Sequence, residues 1–136
     1  MYLLDTMVLS ALRRRERTDP RVARWADGAD PGTLYLSAIT VLEIEAGALL
    51  LERRDRAQGA MIRSWIEERV LPAFENRILA IDVAVARQTA RLHVPDPRPE
   101  RDALIAATAL VYRLCVVTRE RAAFAAMGVP ALDPWM

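Results

Sequence analysis

Short apolar runs and longer mixed segments alternate along the chain. YLL at positions 2–4 is apolar throughout and stops at Asp5, and TLYLS (33–37), RILAI (77–81), CVVT (115–118) and VPAL (129–132) have the same character. None shows the regular in–out alternation of a strand with one wet face, so each reads as a strand covered on both sides. The segments between them carry the 3.6-residue period of helices. Helices are expected from Asp5 to about Arg14, between Pro20 and Gly28, over 38–54, and over 54–74 with Pro72 near its end. Asp82 is placed to cap a helix over 83–93. After the proline-rich VPDPRP loop come a helix over 100–114 and a short one over 119–127, closed by Gly128. Strands alternating with helices in this way predict an α/β fold: a parallel β-sheet of four to five short strands flanked by helices on both faces. Such sheets bind ligands beyond the carboxyl ends of their strands, where the strand order reverses.

Composition narrows the picture. A chain of 136 residues, 53% hydrophobic and 27% charged, can bury a substantial core, and one domain over 1–136 is expected. No apolar run approaches the roughly 20 residues that span a bilayer, and the N-terminus lacks the basic region and cleavage site of a secretory signal. Cys115 is the only cysteine, which excludes an internal disulfide and fits a cytoplasmic location. All 19 basic residues are arginine. A GC-rich coding sequence accounts for that bias, yet each guanidinium still offers a planar fork to phosphate or carboxylate. A net charge of +1 argues against general coating of nucleic acid but allows a local patch. Arg13, Arg14, Arg15 and Arg17 are the candidate patch, although they read more readily as a solvated helix end favoured by the dipole.

The 18 acidic residues mostly sit in polar stretches. Asp5, Glu43, Asp102 and Glu120 do not: each lies at or near the junction of a strand and a helix. Every one has a local explanation. Asp5 can cap the first helix. Thr40-Val41-Leu42-Glu43 fits a capping box. Asp102 and Glu120 fall in first helical turns, where the dipole favours acids. Glu43 also lies on the edge of an apolar stripe formed by Ile39, Leu42, Ala46 and Leu49. Alanines at 103, 106, 107 and 109 would let the helix bearing Asp102 lie close to the sheet. Taken together, the junctions put several acids where a parallel sheet has its binding crevice. Converging carboxylates repel and need a cation between them. Oxygen donors without His or Cys point to Mg²⁺, with Mn²⁺ as a possible substitute, rather than zinc. The lone His93 reads as structural or surface, and no glycine-rich phosphate loop is present. Acids around Mg²⁺ suit phosphoryl-transfer or phosphodiester chemistry.

Four blocks, LLDTMVLSALRR, LSAITVLEIEAGAL, DALIAATALVYRLCVVTRE and FAAMGVPALDPW, resemble in order and spacing the PIN domain, most nearly its VapC toxin branch in bacterial type II toxin–antitoxin systems. The resemblance runs from Asp5 to Trp135. It implies a PIN-like fold, Mg²⁺-dependent endoribonuclease activity on structured RNA such as transfer RNA, a cognate VapB-type antitoxin and a homodimer. It carries the family's first three acids onto Asp5, Glu43 and Asp102, as catalytic and metal-holding residues, with Thr6 and Thr118 orienting them. Two positions depart from the pattern. Met7 stands where the family usually has asparagine, and Ala123 stands at the usual fourth acid, with Glu120 nearby as a replacement ligand.

The third helix also carries Ile44, Ala48 and Leu51 opposite Ile39, Leu42 and Leu49; a helix apolar all round is wholly buried or meets another chain, and the resemblance adds a homodimer and an antitoxin segment lying in a groove. Met61, Trp65, Ile66 and Val70 on the next helix are similar, with Trp65 read as core. Two rivals follow from the same residues. One is a degenerate PIN domain that binds RNA or antitoxin without cleaving. The other is a Mg²⁺-dependent phosphatase, disfavoured because Met7 occupies the place of its second aspartate.

Overall fold

The computed structural model describes residues 1–136. Strands β1 (Tyr2–Leu4), β2 (Leu34–Ser37), β3 (Ile78–Leu79), β4 (Cys115–Val117) and β5 (Ala131–Leu132) form one parallel sheet in the order β3-β2-β1-β4-β5. The chain steps outward from β1 through β2 to β3, then returns to the other side of β1 for β4 and β5. The order reverses beside β1, so the crevice expected of such a sheet lies at the carboxyl ends of β1 and β4.

Both faces of the sheet are covered, which explains the uninterrupted apolar strands. Leu4, Leu34, Leu36 and Val117 join one core cluster with Val8, Ile44, Ile66 and Val70. Leu3 and Val116 point the other way, into a cluster with Ile105, Ala106, Ala109 and Phe124. Helices α1 (Thr6–Leu12) and α3 (Ala38–Arg54) supply the first face, with α2 (Pro20–Gly28) beside them through Trp25. The other face takes α7 (Glu100–Tyr112) and α8 (Arg121–Ala125). The alanines at 103, 106, 107 and 109 are all buried, as their small size required for close approach to the sheet. The remaining helices are α4 (Arg56–Trp65), α5 (Leu71–Ala73) and α6 (Val83–Leu92). Asp82 caps α6 as expected, accepting from Val85 N–H at 2.9 Å. Gly128 takes φ +78° in the turn between α8 and β5, a conformation that costs glycine little.

Three expectations change. The helix expected over 54–74 is not continuous. Asp55 is extended and starts α4 anew, and Ile66–Val70 is a π-helical turn in which Leu71 N–H donates to Ile66. Pro72 has no N–H to give and its ring clashes with the preceding turn, so the register loosens just ahead of it. The first helix stops at Leu12, and Arg15–Arg17 form a separate 3₁₀ turn. On α3 the buried face is Thr40, Ile44 and Ala48, whereas Leu42 and Leu49 are 47% and 51% exposed. Leu42 and Leu49 of the expected stripe therefore face outward, Ile39 is partly buried against the opposite core cluster, and Ile44 and Ala48 are core. Trp65 packs against the core, as read.

Candidate active site

Asp5 follows β1 directly, and its backbone N–H is fixed by Val117 O of β4 at 2.9 Å. Its side chain is 9% exposed. Oδ1 accepts from Thr6 N–H at 2.7 Å, which caps α1, and Oδ2 accepts from the Thr118 hydroxyl at 2.8 Å. The capping reading of this residue holds, since one oxygen caps the helix, while the other faces a fully buried threonine beyond the end of β4. Thr118 accepts in turn from Glu120 N–H at 3.0 Å. The switch point of the sheet is thus stitched by side chains from both sides of the reversal.

Glu43 does not close a capping box. Ser37 is the cap of α3, accepting from Ile39 N–H at 3.1 Å, which leaves Thr40 one turn inside the helix. Instead, Glu43 Oε1 accepts from the Thr6 hydroxyl at 2.8 Å, with buried Thr40 Oγ1 at 3.1 Å from the same oxygen of Thr6. The other carboxylate oxygen faces Arg101 Nη1 at 3.6 Å. Asp102 lies in the first turn of α7 and Glu120 begins α8 without a side-chain capping bond.

One cavity of about 330 Å³ is lined by Asp5, Thr6, Met7, Ser10, Glu43, Asp102 and Glu120. All four acids singled out in the sequence therefore face the same space. Burial pushes the Asp5 carboxyl above its ordinary range, against the pull of the hydrogen bonds from Thr118 and Thr6; the charges of Asp102 and Glu43 push the same way. Asp102 is also raised, first by burial and then by Glu120 and Glu43. Such a pocket favours a cation. The donors are all hard oxygens, suited to Mg²⁺ or Mn²⁺. They stand around the space rather than closing on one point, and no three Asp, Glu, His or Cys side chains form a ready-made cage. That arrangement fits a small hydrated cation, since Mg²⁺ keeps several waters and takes one or two carboxylates directly.

A family model for the PIN domain matches residues 2–129. The chain belongs to the PIN domain family. It is 35% identical over 140 residues to the VapC ribonuclease Y4jK of Sinorhizobium fredii, covering 99% of this chain and 98% of that protein. It is 36% identical over 141 residues to toxin FitB of Neisseria gonorrhoeae, covering 99% of each. The crystal structure of FitAcB from Neisseria gonorrhoeae has the same fold, with a TM-score of 0.90 at 35% identity over 99% of both chains.

In this PIN domain Met7 is 45% exposed at the pocket wall, where the family usually has an asparagine amide. Ala123 is exposed on α8 and Glu120 supplies the acid on that side of the pocket. His93 lies away from the pocket: Nδ1 accepts from Arg98 N–H at 3.0 Å within the proline-rich loop, and Nε2 lies 3.2 Å from Glu100 without a hydrogen bond. Of the arginine run, Arg15 pairs with Asp27 and is not at the pocket. The sequence reading missed Ser10, Thr40 and Arg101. Ser10 had a signal, since it lies one turn beyond Thr6 on the same face of α1. Thr40 lies one turn before Glu43 and was read only as half of a capping box, and Arg101 had no signal beyond adjacency to Asp102.

Proposed function

We propose that this PIN domain is a Mg²⁺-dependent endoribonuclease of the VapC kind, the toxin of a VapBC-type pair, with Mn²⁺ as a working substitute. The observation that carries this reading is the buried Asp5 at the switch point, facing Glu43, Asp102 and Glu120 across one pocket. Its local capping role needs no such convergence. The names of the relatives, a ribonuclease and a toxin, point the same way.

In the mechanism, Asp5, Glu43 and Asp102 would hold the ion, with Glu120 as a further ligand. When bound, the ion supplies a water of lowered pKa and offsets charge on the phosphate oxygens. The threonines do the positioning. Thr118 fixes one oxygen of Asp5 and Thr6 fixes one of Glu43, so neither carboxylate is free to swing away. Arg101 sits beside Glu43, where its exposed guanidinium can fork a phosphate of the incoming strand. The partner is a VapB-type antitoxin, because a nuclease of the cell's own RNA needs restraint. Exposed Leu42, Leu49 and Leu50 on α3, with Met61 on α4, offer apolar surface for a second copy in a homodimer.

The test is induction without antitoxin in a bacterial host, followed by mapping new RNA 5′ ends across the transcriptome, with Asp5→Asn as control. New ends at a few structured RNAs, absent in the control, are expected. An unchanged map at good expression would refute the nuclease and leave a binding protein. On purified protein, chelation should stop cleavage, and Mg²⁺ or Mn²⁺ should restore it.

A further inference from the structure

The acidic pocket adjoins a second cavity of about 290 Å³ between α1, α3 and α4, and Thr6, Ser10 and Glu43 line both. The two make one trough. Thr6, Ser10 and Arg13 succeed one another at helical spacing along the α1 wall. Gly47 and Ala48 belong to α3, and Ile62 and Trp65, three apart on α4, close the far side.

The far end differs chemically from the acidic end. Arg13 is only partly exposed and forms no ion pair, whereas Arg15 and Arg21 are each paired with an aspartate. Burial, then Arg14 and Arg17, disfavour its charge, and only Glu16 opposes them. A guanidinium so placed gains from an anionic ligand. Trp65 lines the same cavity as Arg13 and is half-buried, packed against the core. Gly47 also lines this cavity, and a side chain there would begin in empty space.

We propose that this end of the trough is a nucleotide subsite, in which Arg13 takes a phosphate next to the scissile one and Trp65 stacks the base of that nucleotide. The inference rests on the ribonuclease reading of the acidic pocket and adds to it where the strand goes next. A phosphodiester strand brings an anion and a flat ring in each repeat, which matches a guanidinium beside an indole. Stacking on an indole tolerates any base, so the subsite strengthens binding without choosing a sequence.

The experiment uses the full chain carrying Asp5→Asn, which preserves the strand and removes one repelling charge, titrated with short single-stranded RNA by fluorescence. Arg13→Gln is expected to weaken binding about tenfold and to lower the slope of log affinity against log salt by about 0.7, one phosphate contact. Binding is expected to quench tryptophan emission, and Trp65→Phe to abolish that quenching while the ring still stacks. Gly47→Leu fills the trough without removing any contact and replaces a poor helix former, so it should weaken RNA about tenfold with an unchanged or higher melting temperature. If RNA binds and none of the three variants alters affinity, salt slope or quenching, the subsite is wrong and the ribonuclease reading stands. If the Asp5→Asn chain binds no RNA and the unaltered chain cleaves none, the ribonuclease reading fails and takes the subsite with it. If the variants bind RNA normally but lose a purified antitoxin, the trough is a peptide groove and the proposal is overturned.

Discussion

Asp5 carries its charge where the fold leaves it least water, and the two hydrogen bonds it accepts do not make up the difference, so its carboxyl stays above the ordinary 3.8. In the metal-free protein the folded state then binds a proton more readily than the unfolded chain does. Stability attributable to this residue falls as pH rises from the unfolded value through the folded one, and at neutral pH the ionised group is a net cost. Asp5→Asn removes the charge at nearly constant shape. Its amide oxygen still caps Thr6 N–H, and its amide nitrogen can donate to Thr118 Oγ1, which has a second lone pair free. The variant should abolish cleavage and yet stabilise the metal-free protein by about 1 kcal/mol at pH 7, or roughly 3 °C in Tm. The gap should close as the pH falls to where Asp5 takes up its proton. Calorimetry across pH checks this, and a lower Tm for the variant at pH 7 would show that the charge is not a cost. Thr118→Val tests the positioning role: loss of the hydroxyl that fixes Asp5 should lower metal affinity about 10–100-fold, read by the Mg²⁺ concentration needed for half-maximal cleavage.

Among the elements, the α3–α4 hairpin has the narrowest tolerance. A Cβ at Gly59 would lie 2.5 Å from Glu52 Cα, which is backbone and cannot step aside. Gly59→Ala should therefore destabilise by about 1–3 kcal/mol despite alanine's better helix propensity, whereas Gly47→Ala, with open space, should stabilise; urea unfolding of the two variants side by side gives the comparison. Both glycines look alike in the sequence, because what separates them is a partner helix brought in by the fold. The same reason governs what else was legible there. The apolar strands and the capping aspartate at 82 are local signals, and they placed the sheet and α6 correctly. The face that α3 buries is not local, since apolar residues ring the helix and only packing against α1 and the sheet selects Ile44 and Ala48 over Leu42 and Leu49. Glu43 followed the rule for a capping box, yet Ser37 already capped the helix and Thr6 claimed the carboxylate. Pro72 was visible, but its effect on the register of the preceding turn was not.

At the scale of the whole molecule, the pocket is where distant parts of the chain meet. Its acids come from positions 5, 43, 102 and 120, carried by β1, α3, α7 and the start of α8 on opposite faces of the sheet. Repulsion among them weakens the junction in the absence of a cation, so an ion shared among them would tie both layers together across the switch point. Metal binding here should therefore read out as global stability, not as ordering of a loop. A ligand at 100 times its Kd adds about 2.7 kcal/mol, so saturating Mg²⁺ should raise Tm by roughly 8 °C for a chain of this size, with full reversal by chelator. Monovalent salt at equal ionic strength separates this from simple screening, which would relieve the same repulsion without a site. Asp102→Asn should flatten the Mg²⁺ response while leaving the small effect of monovalent salt. Asp5→Asn should start from the higher metal-free Tm, lose the Mg²⁺ response and keep a smaller effect of monovalent salt. If Mg²⁺ instead raised Tm equally in the unaltered chain and both variants, the acids would be acting as a diffuse field, and the roles assigned to Asp5 and Asp102 as ligands would be wrong.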